Sequence, residues 1–258
     1  MRVDRSRYLL EFSDDFTGAE LDRSKWIRHY LPQWSSRALS AARSRIADGR
    51  LALLIEEDQP AWAPELNGGL RVSNLQTGVF AGPVGSTVGQ HQFAPGLRVR
   101  ESQLEQRLFT PHFGLIEARI AATSDPRSMV ALWMIGFEDE PTHSAEICIF
   151  EIFGSELTAD AAIVGMGVHP FGDPGIRDDF RKVPVAVDAR EFHTYSAEWL
   201  PDEVRFFIDD ELVTSVDQSP NYPMQLMLNI YEFEGEPSGP YPKRFDVDWV
   251  RGYRPMTG

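Results

Sequence analysis

Apolar residues in this 258-residue chain recur in short runs that alternate with polar ones or are wholly apolar. Almost nowhere do they keep the 3.6-residue period of a helix with one buried face. Such runs occupy residues 8–12, 50–55, 113–121, 129–135, 146–152, 161–169, 193–199, 203–208, 211–216, 225–231 and 245–253. Strands of this kind need a second layer to cover their apolar faces, so the fold class expected is all-β, two stacked antiparallel sheets. Residues 129–135 are nearly all apolar, which predicts a strand buried on both faces. Residues 21–26 read as a short helical turn, and Asp209-Asp210 as a two-residue hairpin. No repeat, linker or low-complexity block interrupts the chain, and its length supports one large core, so a single domain over 1–258 is expected.

Within this pattern the stretch Ala145-Glu146-Ile147-Cys148-Ile149-Phe150-Glu151-Ile152-Phe153-Gly154 stands apart. Strict alternation would send Glu151 to the face of Ile147, into the core, where an unpaired carboxylate is costly. A one-residue bulge between Cys148 and Glu151 removes the conflict. Glu146, Cys148 and Glu151 then share one face, with Ile147, Ile149 and Ile152 on the other. Two carboxyls on one face of one strand are the equipment of glycosidic-bond cleavage, although acidic residues on a wet strand face also occur with no function.

Composition narrows the partners. The net charge of −14 disfavours nucleic acid and anionic membranes, and makes a neutral polymer a more natural partner than a sulfated or uronic one. No apolar run is long enough to span a bilayer. Cys148 is the single cysteine, so no internal disulfide forms. The first seven residues are basic, but only Tyr8-Leu9-Leu10 follows, too short for a signal-peptide core. The expectation is a cytoplasmic protein, or a secreted one whose leader lies outside this sequence. A monomer is expected, and residues 56–106, broken by Gly, Pro and polar positions, are expected to form cleft loops or an ill-defined edge.

Taken together and in order, several segments resemble glycoside hydrolase family 16, the β-glucanase-like enzymes on a concanavalin A-like jelly roll. Asp14-Asp15-Phe16-Thr17-Gly18 with Leu21-Asp22 and Lys25-Trp26 resembles the family's opening. Phe113-Gly114-Leu115-Ile116-Glu117-Ala118-Arg119-Ile120 and Ala131-Leu132-Trp133-Met134 resemble the strands before its active centre. Glu146-Ile147-Cys148-Ile149-Phe150-Glu151 stands where the family carries a bulged Glu-x-Asp-x-x-Glu signature. Val168-His169, Phe192-His193-Thr194-Tyr195 with Glu198-Trp199, and Val247-Asp248-Trp249-Val250-Arg251 follow in sequence.

The resemblance implies retaining, endo-acting hydrolysis of a β-linked polysaccharide, with a β-1,3- or mixed β-1,3/1,4-glucan expected. Glu146 would be the nucleophile and Glu151 the acid/base, with no cofactor for catalysis. The signature's middle Asp is Cys148 here, a mostly neutral thiol and weak donor. Removing that charge is expected to let Glu146 ionise more easily and to weaken the hold on the Glu151 proton. An impaired or repurposed site is expected, with a carbohydrate-binding, lectin-like protein on the same fold as the alternative and a sandwich with no sugar partner as a third reading.

Trp133 matches a family tryptophan that stacks on sugar; four residues earlier the family often has a second, and this chain has Met129. A core role for Trp133 competes with stacking. Phe153, His169, Trp62, Trp34 and Tyr231 are further candidates for the groove, each with a structural role as the plainer reading. A structural calcium ion, implied by the resemblance alone, would be held by the Asp15 and Gly49 carbonyls and by Asp248.

Overall fold

A computed structural model describes residues 1–236 and 238–256. The chain runs through β1 (Tyr8–Asp14), β2 (Arg43–Ala47), β3 (Arg50–Ile55), β4 (Arg71–Gln76), β5 (Gly78–Val79), β6 (Gln106–Arg107), β7 (Gly114–Ala121) and β8 (Ser128–Gly136). It continues with β9 (Glu146–Phe153), β10 (Ala162–His169), β11 (Asp179–Val185), β12 (His193–Trp199), β13 (Val204–Ile208), β14 (Glu211–Val216), β15 (Met224–Glu232) and β16 (Lys243–Pro255). Eight strands form one antiparallel sheet in the order β14-β13-β12-β7-β16-β3-β2, with β1 also on β16. Six form a second, β11-β10-β9-β8-β15-β4. This is the two-sheet sandwich expected. Among the described residues no helix is long and apolar enough to cross a membrane.

Strands β4, β8 and β15 of the six-stranded sheet divide their apolar residues between two bodies. Val130, Leu132 and Met134 of β8, with Ile147, Ile149, Phe150 and Ile152 of β9, enter the core between the sheets. Met129, Ala131, Trp133 and Ile135 of β8 join a second cluster on the opposite face, built with Tyr30, Trp34, Trp62, Leu97 and Val99. That is why β8 is apolar at nearly every position: all nine of its residues are buried, from two sides.

The second cluster also accounts for residues 56–106. They supply β4 to the edge of the six-stranded sheet, and the loops before and after it cover the sheet's outer face and bury Trp62, Leu97 and Val99. Turn chemistry elsewhere follows the sequence. Asp209 and Asp210 both have positive φ, 47° and 69°, as a two-residue hairpin between β13 and β14 requires. Residues 21–26 close as a turn, with Lys25 and Trp26 N–H groups on the Asp22 carbonyl.

Candidate active site

Strand β9 carries the expected bulge. Leu132 pairs with Phe150 and the next residue, Trp133, pairs with Cys148, so Ile149 is the extra residue. Ile149 and Phe150 are consecutive yet both core-facing, and Glu151 is thereby turned out to the face of Glu146 and Cys148. On the neighbouring strand β10 the residues opposite are His169, Gly167 and Gly165, facing Glu146, Cys148 and Glu151 in turn. A side chain at Gly165 would meet the Phe180 ring at 2.4 Å and the Glu151 Cβ at 3.2 Å. The missing side chain lets β11 lay Phe180 and Lys182 against this floor.

Glu146, Cys148 and Glu151 line one cavity of about 410 Å³ with Tyr30, His91, Met129, Ala131, Trp133, His169, Phe171 and Tyr231. Its walls are mostly aromatic, and its volume falls within the range of about 300–1,000 Å³ usual for a small-ligand site. Trp133 is held by its indole N–H, which donates to Asn229 Oδ1 at 2.6 Å, and its ring lines the cavity. Tyr231 donates to the Tyr30 hydroxyl at 2.9 Å, fixing two phenols on one wall. His169 packs on Phe180 with ring centroids 4.7 Å apart, and its Nδ1 lies 3.0 Å from Asp178.

Three of the expected groove residues lie elsewhere. Trp62 is fully buried beneath the wall, donating to the Tyr30 carbonyl at 2.8 Å and packing edge-on against the Tyr30 ring. Trp34 is likewise fully buried, with its N–H on the Gln90 carbonyl at 2.7 Å. Both carry the loops that form the cavity and present no face to a sugar. Phe153 sits outside the cavity lining, stacked on Phe233 at 5.8 Å with the Lys182 ammonium 5.0 Å above its ring.

Tyr30, His91, Ala131 and Phe171 line the cavity without having been singled out from the sequence. His91 is 8% exposed and its Nδ1 has no partner. It has a positive φ of 52°, and its backbone N–H donates to Glu138 at 2.5 Å. Its ring bridges Trp133 and Phe171, at 5.1 and 4.6 Å. Burial drives the His91 imidazole down to a pKa of about 4, with the nearby His169 adding to the effect, so the ring is neutral at neutral pH.

The two carboxyls both hold their protons more tightly than free glutamic acid. Burial raises Glu146 to about 8, and the charge of Glu151 pushes the same way. Burial also raises Glu151, with Lys182 opposing and Glu156 assisting. Lys182 donates to Glu156 at 2.7 Å. The Cys148 thiol is pushed well up by burial and by both carboxylates, so it stays protonated. Burial is the largest influence on Glu146, and it acts whatever residue stands at position 148. On both residues burial favours the protonated form, and on Glu146 the charge of Glu151 adds to it.

Of the donors expected for calcium, the Asp248 carboxylate is paired with guanidinium groups. Asp248 Oδ2 lies 2.5 Å from an Arg119 guanidinium nitrogen and Oδ1 lies 3.4 Å from Arg50 Nε. The Asp15 carboxylate pairs with Arg251 at 3.1 Å. Gly49 serves the two-residue turn between β2 and β3 with φ of 68°.

The sequence profile described as Glycosyl hydrolases family 16 matches residues 97–251. Among solved structures, one that is similar is the GlcNAcα1-4Gal releasing endo-β-galactosidase from Clostridium perfringens, at 30% identity and a TM-score of 0.85 over 98% of this chain. The chain spans 63% of the length of that galactosidase. The catalytic domain of an endo-1,3-β-glucanase (laminarinase) from Thermotoga petrophila aligns with 97% of this chain and 99% of its own, at 18% identity and a TM-score of 0.67. The laminarinase catalytic domain from Thermotoga maritima does so with 97% and 99%, at 20% and 0.68. No curated protein matches the sequence.

Proposed function

Because this chain belongs to glycosyl hydrolases family 16, we propose that it is an endo-acting, retaining glycoside hydrolase, with Glu146 as nucleophile and Glu151 as acid/base. The observation that carries the reading is the bulge at Ile149, which turns both carboxyls of β9 into one aromatic-walled cavity. In a retaining reaction the Glu146 carboxylate attacks the anomeric carbon while the Glu151 proton passes to the departing oxygen. Glu151 then takes a proton from the water that frees the sugar from Glu146. The productive complex needs the proton on Glu151 and the negative charge on Glu146. A glycosidic oxygen bound beside Glu151 favours that arrangement, since it accepts the proton as the bond breaks.

For substrate, we favour a β-galactosidic linkage in a galactose-containing glycan. The galactosidase is similar at 30% identity over 98% of this chain, whereas the laminarinases share the fold at 18–20%. The β-1,3- or β-1,3/1,4-glucan expected from the sequence is the second substrate class. The walls of Trp133, Tyr231 and Phe171 suit the C–H face of either sugar.

Reducing-sugar release from galactose-containing O-glycans, agarose, carrageenan, laminarin, lichenan and xyloglucan tests both levels. Release from a galactose-containing glycan, lost in Glu146→Gln and Glu151→Gln, is the expected result. Release from laminarin or lichenan alone moves the substrate to the glucans. Binding without release from any member, with wild type and both variants alike, overturns the hydrolase and leaves the lectin-like alternative. An aryl β-glycoside separates the two roles. Its leaving group needs no proton, so Glu151→Gln should retain glycosylation of the enzyme while Glu146→Gln, lacking the nucleophile, should lose roughly 1,000-fold or more.

A further inference from the structure

A second cavity, of about 490 Å³, lies beyond the β4 edge of the six-stranded sheet. Arg23, Arg28, Arg37, His29 and Gln106 supply its polar wall, over an apolar floor of Trp26, Ile27 and Ala42. It shares no lining residue with the catalytic cavity. The segment holding it is fixed to the sheet: Ile27 bridges Gln76 through two backbone bonds, and Asn74 donates to the His29 carbonyl at 3.0 Å.

Charge sets this cavity apart from the rest of the molecule. The chain has 39 acidic residues against 25 Lys and Arg, and many of its arginines sit on a carboxylate. Yet no carboxylate lines this cavity. Among the described residues Arg23 and Arg28 have no acidic partner; Arg37 has Glu101, whose carboxylate accepts the Arg37 backbone N–H at 2.9 Å and lies 3.9 Å from its Nε. Arg28 is steered by one bond, from a terminal guanidinium nitrogen to the Ala42 carbonyl at 3.2 Å. Its Nε is buried with no partner at all. At His29 burial first, then the charges of Arg37 and Arg28, push the imidazole down, while a bond to the Arg37 backbone and the charge of Glu101 oppose them. Three arginines lining one hollow with no carboxylate among its walls are the arrangement that an anion complements.

We infer that the hollow between Arg23, Arg28 and Arg37 is a binding site for an oxyanion, a carboxylate or sulfate ester, separate from the catalytic cavity. Guanidinium groups pair with such oxygens through two parallel N–H donors, which gives geometry as well as charge. The oxyanion has two sources, a substituent on a glycan or a free small anion. This site amends the expectation drawn from net charge: an acidic surface overall still offers one basic recess to an acidic sugar. The inference does not depend on which bond, if any, the catalytic cavity cleaves.

Calorimetric titration of the full chain with galactose 6-sulfate, glucuronate, inorganic sulfate and methyl β-galactoside tests it, with Arg28→Gln/Arg37→Gln and Arg28→Lys/Arg37→Lys alongside. The anions should bind, more weakly at high salt, and the Gln pair should weaken them by about tenfold or more. The Lys pair should keep part of the affinity, and methyl β-galactoside should show no dependence on these positions. The Gln pair should also keep the wild-type melting temperature. Sugar-borne anions binding tighter than sulfate assign the glycan as source, and equal binding assigns a free oxyanion. Absence of anion binding to the wild type, or equal binding to the wild type and the folded Gln pair, overturns the site.

Discussion

Cys148 sits between two carboxyls and is hydrogen-bonded to neither; its thiol lies 3.9 Å from the Gly165 carbonyl on the next strand. A carboxyl there would reach toward Glu146 and bring negative charge beside Glu151, giving the proton on Glu151 the support the thiol withholds. Cys148→Asp is therefore expected to raise the hydrolysis rate by roughly tenfold and to shift the alkaline limb of its pH profile upward. Rates across pH check both; a loss of rate, or an unmoved limb, contradicts this account of the thiol. The face shared by Glu146, Cys148 and Glu151 was legible in the sequence because the alternation fails in only one place, and a bulge is the cheap repair. His91, Tyr30 and Phe171 were not legible. They lie in loops, where no period marks a face, and His91 owes its position to a positive φ and a bond from its own backbone to Glu138.

At the scale of elements, the cavity floor depends on how closely β10 and β11 lie against β9. Gly165 is the narrow point, with the Phe180 ring and Glu151 on either side. Gly165→Ala is expected to move Phe180 or the Glu151 backbone by some tenths of an ångström, cutting kcat by about 10- to 100-fold. The stability cost, read from denaturant melts, should stay near 1–3 kcal/mol, the usual range for an overpacked site. A wild-type rate would show that the strand spacing has slack. Strands with a regular face were placed to within a few residues from sequence. β2 and β11 were not, because each is the outer strand of its sheet and its polar residues face water. The loops of 56–106 were not either, since their apolar residues answer to the sheet face beneath them rather than to any local repeat.

Across the whole molecule, buried acids tie stability to pH. Burial raises Glu138 from an ordinary 4.5 to about 8, against the opposing bond from the His91 N–H. Between those values the folded chain holds a proton that the unfolded chain has released, so stability falls as pH rises through the window. Glu138→Gln keeps an acceptor for His91 and has no charge to bury. It should gain on wild type by on the order of 1–3 kcal/mol between pH 5 and pH 8, seen as a melting temperature that declines less over that range. A parallel decline in both proteins contradicts the burial of Glu138. The central claim concerns a bond rather than a stability. It is tested most directly by mass spectrometry of the protein after reaction with a 2-deoxy-2-fluoro β-glycoside of the glycan it cleaves. The account predicts a stable glycosyl adduct mapped to the peptide containing Glu146, at its carboxyl. An adduct on Glu151, or no adduct together with a first product of inverted anomeric configuration, would contradict it.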